Sequence, residues 1–180
     1  PLTIETPVAA GFSPGPGLPT LTLSAPAKVL DLLALHCHGW ERGPGGEPAA
    51  VRCIEDAEGF VIEAAVLPLG RYRAQSAFEA ADVAASALAA SSVGGAGVIL
   101  PHAAAVQSPA GLVLLFADTM GGKSTLALTL AAAGWRLFGD DRLALRRAEG
   151  RSVGTALGLA AKLRLPVPAS ASALAEFANR

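Results

Sequence analysis

Gly121-Gly122-Lys123-Ser124-Thr125 is the segment that most constrains this chain, because apolar runs flank it on both sides. Leu112-Val113-Leu114-Leu115-Phe116 precedes it, and Leu126-Ala127-Leu128-Thr129-Leu130 follows it. The first run reads as a buried strand, the second as a helix, and the glycines as a tight loop between them. A helix N-terminus presents unpaired N–H groups and a partial positive charge. Glycines let the backbone curl around a phosphate. In the usual phosphate-binding loop a Lys at the helix mouth reaches the β- and γ-phosphates, and the hydroxyl after it holds Mg²⁺. Those roles fall here to Lys123 and Ser124. The usual pattern opens with a Gly where this chain has Ala117, which fits if its φ stays negative.

Gly134 stands where a glycine past the helix C-terminus is expected. Trp135-Arg136-Leu137-Phe138 then reads as the next strand. The result is a strand, loop, helix, strand unit, with a right-handed crossover expected. Asp140-Asp141 follows that strand directly. In open α/β sheets the ligand crevice lies at the carboxyl ends of the strands. One acid can hold Mg²⁺ near Ser124 while the other takes a proton from an incoming hydroxyl. His102 precedes a further candidate strand, Ala103-Ala104-Ala105-Val106-Gln107.

Taken in order, His102, the strand from Leu112, Asp118-Thr119-Met120-Gly121-Gly122-Lys123-Ser124-Thr125, Gly134-Trp135-Arg136-Leu137 and Asp140-Asp141 resemble the C-terminal catalytic domain of HPr kinase/phosphorylase. The likeness extends to its kinase-like relatives encoded with peptide natural products such as lasso peptides, and it covers about residues 97–147. The resemblance implies an α/β fold: a P-loop-containing, PEP carboxykinase-like kinase core, here with a smaller N-terminal α+β region. It implies that residues 118–125 bind ATP, that Ser124 and Asp140 hold Mg²⁺, and that Asp140, Asp141, His102 and Lys123 serve the chemistry. One acid of the pair would be the general base and one would lie near the metal. Lys162-Leu163-Arg164-Leu165-Pro166 resembles a basic segment of the kinase-like relatives, which implies either a contact of Lys162 or Arg164 with transferred phosphate or ordinary surface charge on a strand. The Glu-rich signature of true HPr kinase/phosphorylase has no counterpart here. Only 39 residues follow Asp141, which reads as a shortened form or a fragment, whose remaining site residues either come from a partner subunit or are missing. The family's relatives form oligomers, so a homo-oligomer is expected.

The 180 residues are 52% hydrophobic and 16% charged, a globular composition. No apolar run reaches the roughly 20 residues that span a bilayer, and the start lacks the pattern of a signal peptide. The cytoplasm is the expected compartment, with no membrane partner. Cys37 and Cys53 do not make a disulfide framework. His36-Cys37-His38 lacks a second cluster, so packing is expected there rather than zinc. Residues 1–122 carry 5 basic and 11 acidic side chains, whereas residues 123–180 carry 9 and 4. The basic C-terminal part suits ATP, an acidic peptide, or the acidic N-terminal half as a docking partner. Nucleic acid is not expected, since no aromatic residues interleave the basic ones.

Three regions are expected. Residues 1–19 read as an extended Pro/Gly-rich arm and 20–95 as an α+β region. Residues 96–180 read as the kinase-like domain. Within the second region, a strand at 21–23, a helix from Pro26 to His36 and a loop from Gly39 to Pro48 precede a hairpin turning at Asp56-Ala57-Glu58-Gly59. A capping box, Ser76-Ala77-Phe78-Glu79, opens an Ala-rich helix. Beyond Gly150, residues 153–165 read as strand and 171–177 as a short helix. The expected activity is ATP-dependent transfer of the γ-phosphoryl group to a Ser hydroxyl of a small protein or peptide. A nucleotide-binding regulatory or scaffold protein without transfer, and a small-molecule kinase, are the alternatives.

Overall fold

Alternation of buried and exposed residues builds the first part of the chain. In Val51-Arg52-Cys53-Ile54-Glu55 every second side chain is buried, the signature of a strand with one covered face. A computed structural model describes residues 5–14, 18–37, 39–94, 97–118, 120–162 and 174, and the statements below refer to these. The chain divides into two units, residues 1–96 and 97–180.

In the first unit, strands β1 (Val8–Ser13), β2 (Leu21–Ala25), β3 (Glu41–Pro44), β4 (Val51–Asp56), β5 (Gly59–Glu63) and β6 (Arg71–Ala74) form one sheet in the order β3-β1-β2-β4-β5-β6. Only β2 and β4 pair in parallel. Helices α1 (Ala27–His36) and α2 (Ala77–Ser92) pack on each other, and α2 lies on the sheet. Small side chains let α2 approach closely: Ala80, Ala81, Ala84, Ala85, Ala87 and Ala89 are all buried, with Leu88 among them. Ser76 caps it, its hydroxyl accepting from the Glu79 N–H, while the Glu79 carboxylate accepts from the Gln75 N–H. Glu55 sits on the covered face of β4, and Lys28 of α1 answers it at 2.6 Å.

Three expectations for this unit are corrected. Val8–Ser13 is no arm: it is built into the sheet between β2 and β3. Ala10 and Phe12 are buried there, and Gly11 admits Pro44, whose carbonyl oxygen would lie 2.5 Å from an added Cβ. The expected loop from Gly39 to Pro48 contains β3, a fully exposed strand with no apolar pattern to reveal it. With β1 included, the N-terminal unit is the larger of the two rather than the smaller.

The second unit is layered. Strands β8 (Ala104–Ser108), β9 (Gly111–Leu115) and β10 (Arg136–Gly139) form one sheet, with β8 central. Both neighbours run antiparallel to β8, so β9 and β10 are parallel to each other, and helix α3 (Lys123–Ala132) connects them. Strands β7 (Val98–Ile99), β11 (Leu143–Ala148) and β12 (Arg151–Ala156) form a second sheet, ordered β12-β11-β7. The strand β8 serves both faces. Ala104 and Val106 pack with Ala127 of α3, and Ala103 and Ala105 pack with Leu143 of β11. Gly154 of β12 lies close to the same cluster, with an added Cβ 2.7 Å from a methyl of the flexible Leu112 side chain.

Helix α3 ends on Gly134 at φ 95, with Trp135 N–H on the Leu130 carbonyl and Gly134 N–H on that of Ala131. Strand β9 is not the buried strand expected from its apolar run. It lies at a sheet edge among the described strands, and Phe116 just beyond it is 63% exposed. Strand β12 stops at Ala156, short of the expected 165. The expected helix at 171–177 lies outside the described residues except Leu174, which is helical and buried.

Candidate functional site

The two parallel strands decide where the site lies. Parallel strands present their carboxyl ends at the same edge. The loop after β9 and the acidic pair after β10 therefore emerge together, although their sequences are far apart. Helix α3 opens on Gly122, whose φ of 84 belongs to the left-handed region, and no side chain caps the helix. Its first N–H groups point into the loop without a side-chain acceptor.

The loop is tight. The Gly121 N–H donates to the Asp118 carbonyl at 2.9 Å. A Cβ added to Gly121 would lie 2.6 Å from the Ala117 Cβ and 3.0 Å from the Asp118 carbonyl oxygen, so this position takes glycine alone. Ala117 keeps a negative φ, as its replacement of the usual glycine requires. Met120 adopts φ 69 and turns its side chain outward, 78% exposed.

Lys123 is only 8% exposed. Its ammonium donates to the carbonyls of Ala117 at 2.9 Å and Asp118 at 3.2 Å. Among the described residues no carboxylate lies within ion-pair distance of it. Among the described residues the Asp118 carboxylate has no hydrogen bond or ion pair in the loop, and its backbone carbonyl accepts from Lys123 and Gly121.

Asp140 is 2% exposed. Ser124 Oγ donates to its Oδ1 at 3.0 Å, and the Lys162 N–H donates to its Oδ2 at 3.2 Å. Both donors are neutral, and among the described residues no cation approaches this carboxylate. A buried charge held by neutral groups alone is costly, and it is relieved by an ion of opposite sign. Lys123 and Asp140 stand in that condition with opposite signs, and Ser124 lies next to one in sequence and against the other in space.

Asp141 meets a different partner from its neighbour. Its φ of 64 lies in the left-handed region, which Asp tolerates better than most residues. His102 Nε2 lies 3.5 Å from Asp141 Oδ1. The pairing arises from one long antiparallel register. Ile99 faces Leu145, His102 faces Arg142 and Ala105 faces Gly139, with a bulge at Phe138. Asp140 and Asp141 occupy the gap where this ladder passes from one sheet to the other.

The structure thus brings Lys123, Ser124 and Asp140 together, and pairs Asp141 with His102. Thr125 enters the first turn of α3, where its carbonyl accepts from the Thr129 hydroxyl. Thr119 and Arg164 lie outside the described residues. The Lys162 backbone reaches the site, a contribution of the main chain that no residue type announces. No cluster of three or more His, Cys, Asp or Glu side chains arranged for a metal ion occurs among the described residues. No described helix is long and apolar enough to cross a membrane. No protein-family model, curated protein or solved structure matches the chain.

Proposed function

We propose that the second unit binds MgATP and transfers its γ-phosphoryl group to a hydroxyl of a small protein or peptide. One observation carries the reading: among the described residues, a buried Lys123 has no carboxylate and a buried Asp140 no cation within ion-pair distance, and Ser124 stands between them. A magnesium–triphosphate supplies both missing charges at once. The residues fit such a group. Lys123 can leave two loop carbonyls for phosphate oxygens, the uncapped N–H groups of α3 add donors, and Gly121 lets the loop turn tightly ahead of them. Ser124 and Asp140 offer oxygen ligands, and Mg²⁺ accepts few from protein when phosphates and water provide the rest. When bound there, the metal neutralises charge on the phosphate oxygens.

In this mechanism Lys123 holds the β- and γ-phosphates and stabilises charge as transfer proceeds. Asp141 accepts the hydroxyl proton, and His102 orients its carboxylate at 3.5 Å. The acceptor oxygen forms its bond to the γ-phosphorus while the bond to the bridging oxygen breaks, leaving ADP. Serine as the acceptor follows from the resemblance to HPr-kinase-like enzymes rather than from geometry. Incubation with labelled ATP and a panel of Ser peptides, followed by mass spectrometry, tests the reading. A gain of roughly 80 Da on peptide supports it. Binding without turnover leaves a nucleotide-binding regulatory module, and phosphate on a small molecule redirects the acceptor.

A further inference from the structure

Arg142 follows the acidic pair directly and is not explained by it. Its Nε is buried, with no hydrogen-bond partner. No carboxylate among the described residues forms an ion pair with its guanidinium, because Asp140 is engaged by Ser124 and the Lys162 N–H, and Asp141 by His102. An Arg head keeps its charge at every accessible pH, and a buried N–H without an acceptor is unfavourable. The contrast with Arg146 and Arg147 is informative. Both are exposed.

Its position follows from the ladder. Arg142 faces His102 directly, and its own N–H donates to the Asp140 carbonyl at 2.7 Å. Directly opposed residues of an antiparallel pair project to the same face. Arg142 is thus set opposite His102, whose Nε2 lies 3.5 Å from Asp141, the residue just before Arg142. A planar fork of N–H donors fits phosphate or carboxylate in two-point contact.

We propose that Arg142 forms an oxyanion site beside the acidic pair, distinct from the loop that holds Lys123. The inference rests on the proposed transfer reaction for its purpose: the oxyanion is either the phosphoryl group in transfer or an acidic group of the acceptor. Both are oxygen anions presented to Asp141, and both leave the metal-side residues Ser124 and Asp140 untouched.

The site is tested first without nucleotide. In a Lys123→Ala background, which removes the competing loop ammonium, inorganic phosphate and succinate are titrated by calorimetry. Binding of one or both should weaken at least tenfold when Arg142→Gln is added. Arg142→Lys, which keeps the charge and loses the fork, should fall between, and Arg147→Gln should leave binding unchanged. The second measurement separates the sources. With Lys123 intact, Arg142→Gln should weaken MgADP–orthovanadate binding at least tenfold with MgADP unchanged if the site serves the phosphoryl group. If it serves the acceptor, only succinate binding falls. Circular dichroism verifies that each variant is folded, and Arg142→Lys decides the matter if Arg142→Gln is not. Equal phosphate and succinate affinities with and without Arg142, or no binding of either anion, overturn the proposal. Failure of the wild-type chain to bind MgATP would overturn the kinase reading alone, since the phosphate titration does not depend on it.

Discussion

Ser124 Oγ donates a hydrogen bond to Asp140 Oδ1 at 3.0 Å, joining the first turn of a helix to the end of a strand sixteen residues away. The bond ties the lysine-bearing helix to the acid that can meet a metal. It also sets Asp140 apart from Asp141, which faces His102 instead. Two adjacent acids of equal appearance in sequence thus stand in different surroundings.

Replacing Lys123 with Ala removes the buried ammonium that two loop carbonyls now hold. Phosphoryl transfer should fall on the order of 100-fold or more, the usual consequence of losing a donor aimed at developing charge. MgATP affinity should fall with it. Calorimetric titration and a phosphotransfer assay measure the two losses, and transfer at the parental rate would refute the loop assignment.

Asp140→Asn should separate stability from function. The amide keeps an acceptor for Ser124 and removes a buried charge that only neutral groups hold. The ligand-free protein should therefore melt at the same temperature or higher, by roughly 2–4 °C for each kcal/mol gained. Mg²⁺-dependent binding of ATP should weaken about tenfold or more. Thermal scans with and without MgATP test both signs, and a variant that melts lower yet keeps its ligand response contradicts the account.

Gly121→Ala should force the loop open, because the new Cβ would meet the Ala117 Cβ at 2.6 Å. A cost of about 1–3 kcal/mol is expected, typical of overpacking. Ala117→Gly should recover part of it in the double variant, since it removes one side of the clash. Chemical denaturation of the four proteins in a double-mutant cycle gives the coupling, and strictly additive losses would show that the two positions do not meet.

Burial pushes the thiols of Cys37 and Cys53 up to about 12, with the nearby carboxylates of Asp82 and Glu55 adding to the effect. The native thiols should stay protonated and resist a disulfide reagent at pH 8, while denaturant exposes both. The sign for stability follows. Their contribution is complete below the ordinary thiol value of 9.0 and is lost as pH rises towards 12, because the unfolded chain ionises first. Rapid labelling of the folded protein would contradict this burial.

Much of the second unit was legible in the sequence. Gly134 ends α3 in the left-handed conformation expected of it, and the runs around Leu112 and Leu137 form strands. Strong local signals explain this: glycine needs, helix capping and apolar runs are read within a few residues. The failures share a cause as well. Strand β3 carries no apolar residue that would separate it from a loop, and β1 was hidden among prolines and glycines. Each is a strand because a neighbour completes its hydrogen bonds, and a neighbour's position is not written in the segment itself.

The same division holds for the site. Local sequence determined its parts: a glycine-lined loop, a lysine and two hydroxyls at a helix mouth, and two acids after a strand. It left the fit of Ala117 conditional on a negative φ, and the folded loop meets that condition. Only tertiary structure decided the partnerships. The parallel placement of β9 and β10 across β8 set Ser124 against Asp140, and the long register from Ile99 to Ala105 set His102 beside Asp141 and opposite Arg142. Hydrogen bonds and charge pairs act over a few ångströms in space, and chain distance says nothing about them until the strands are paired.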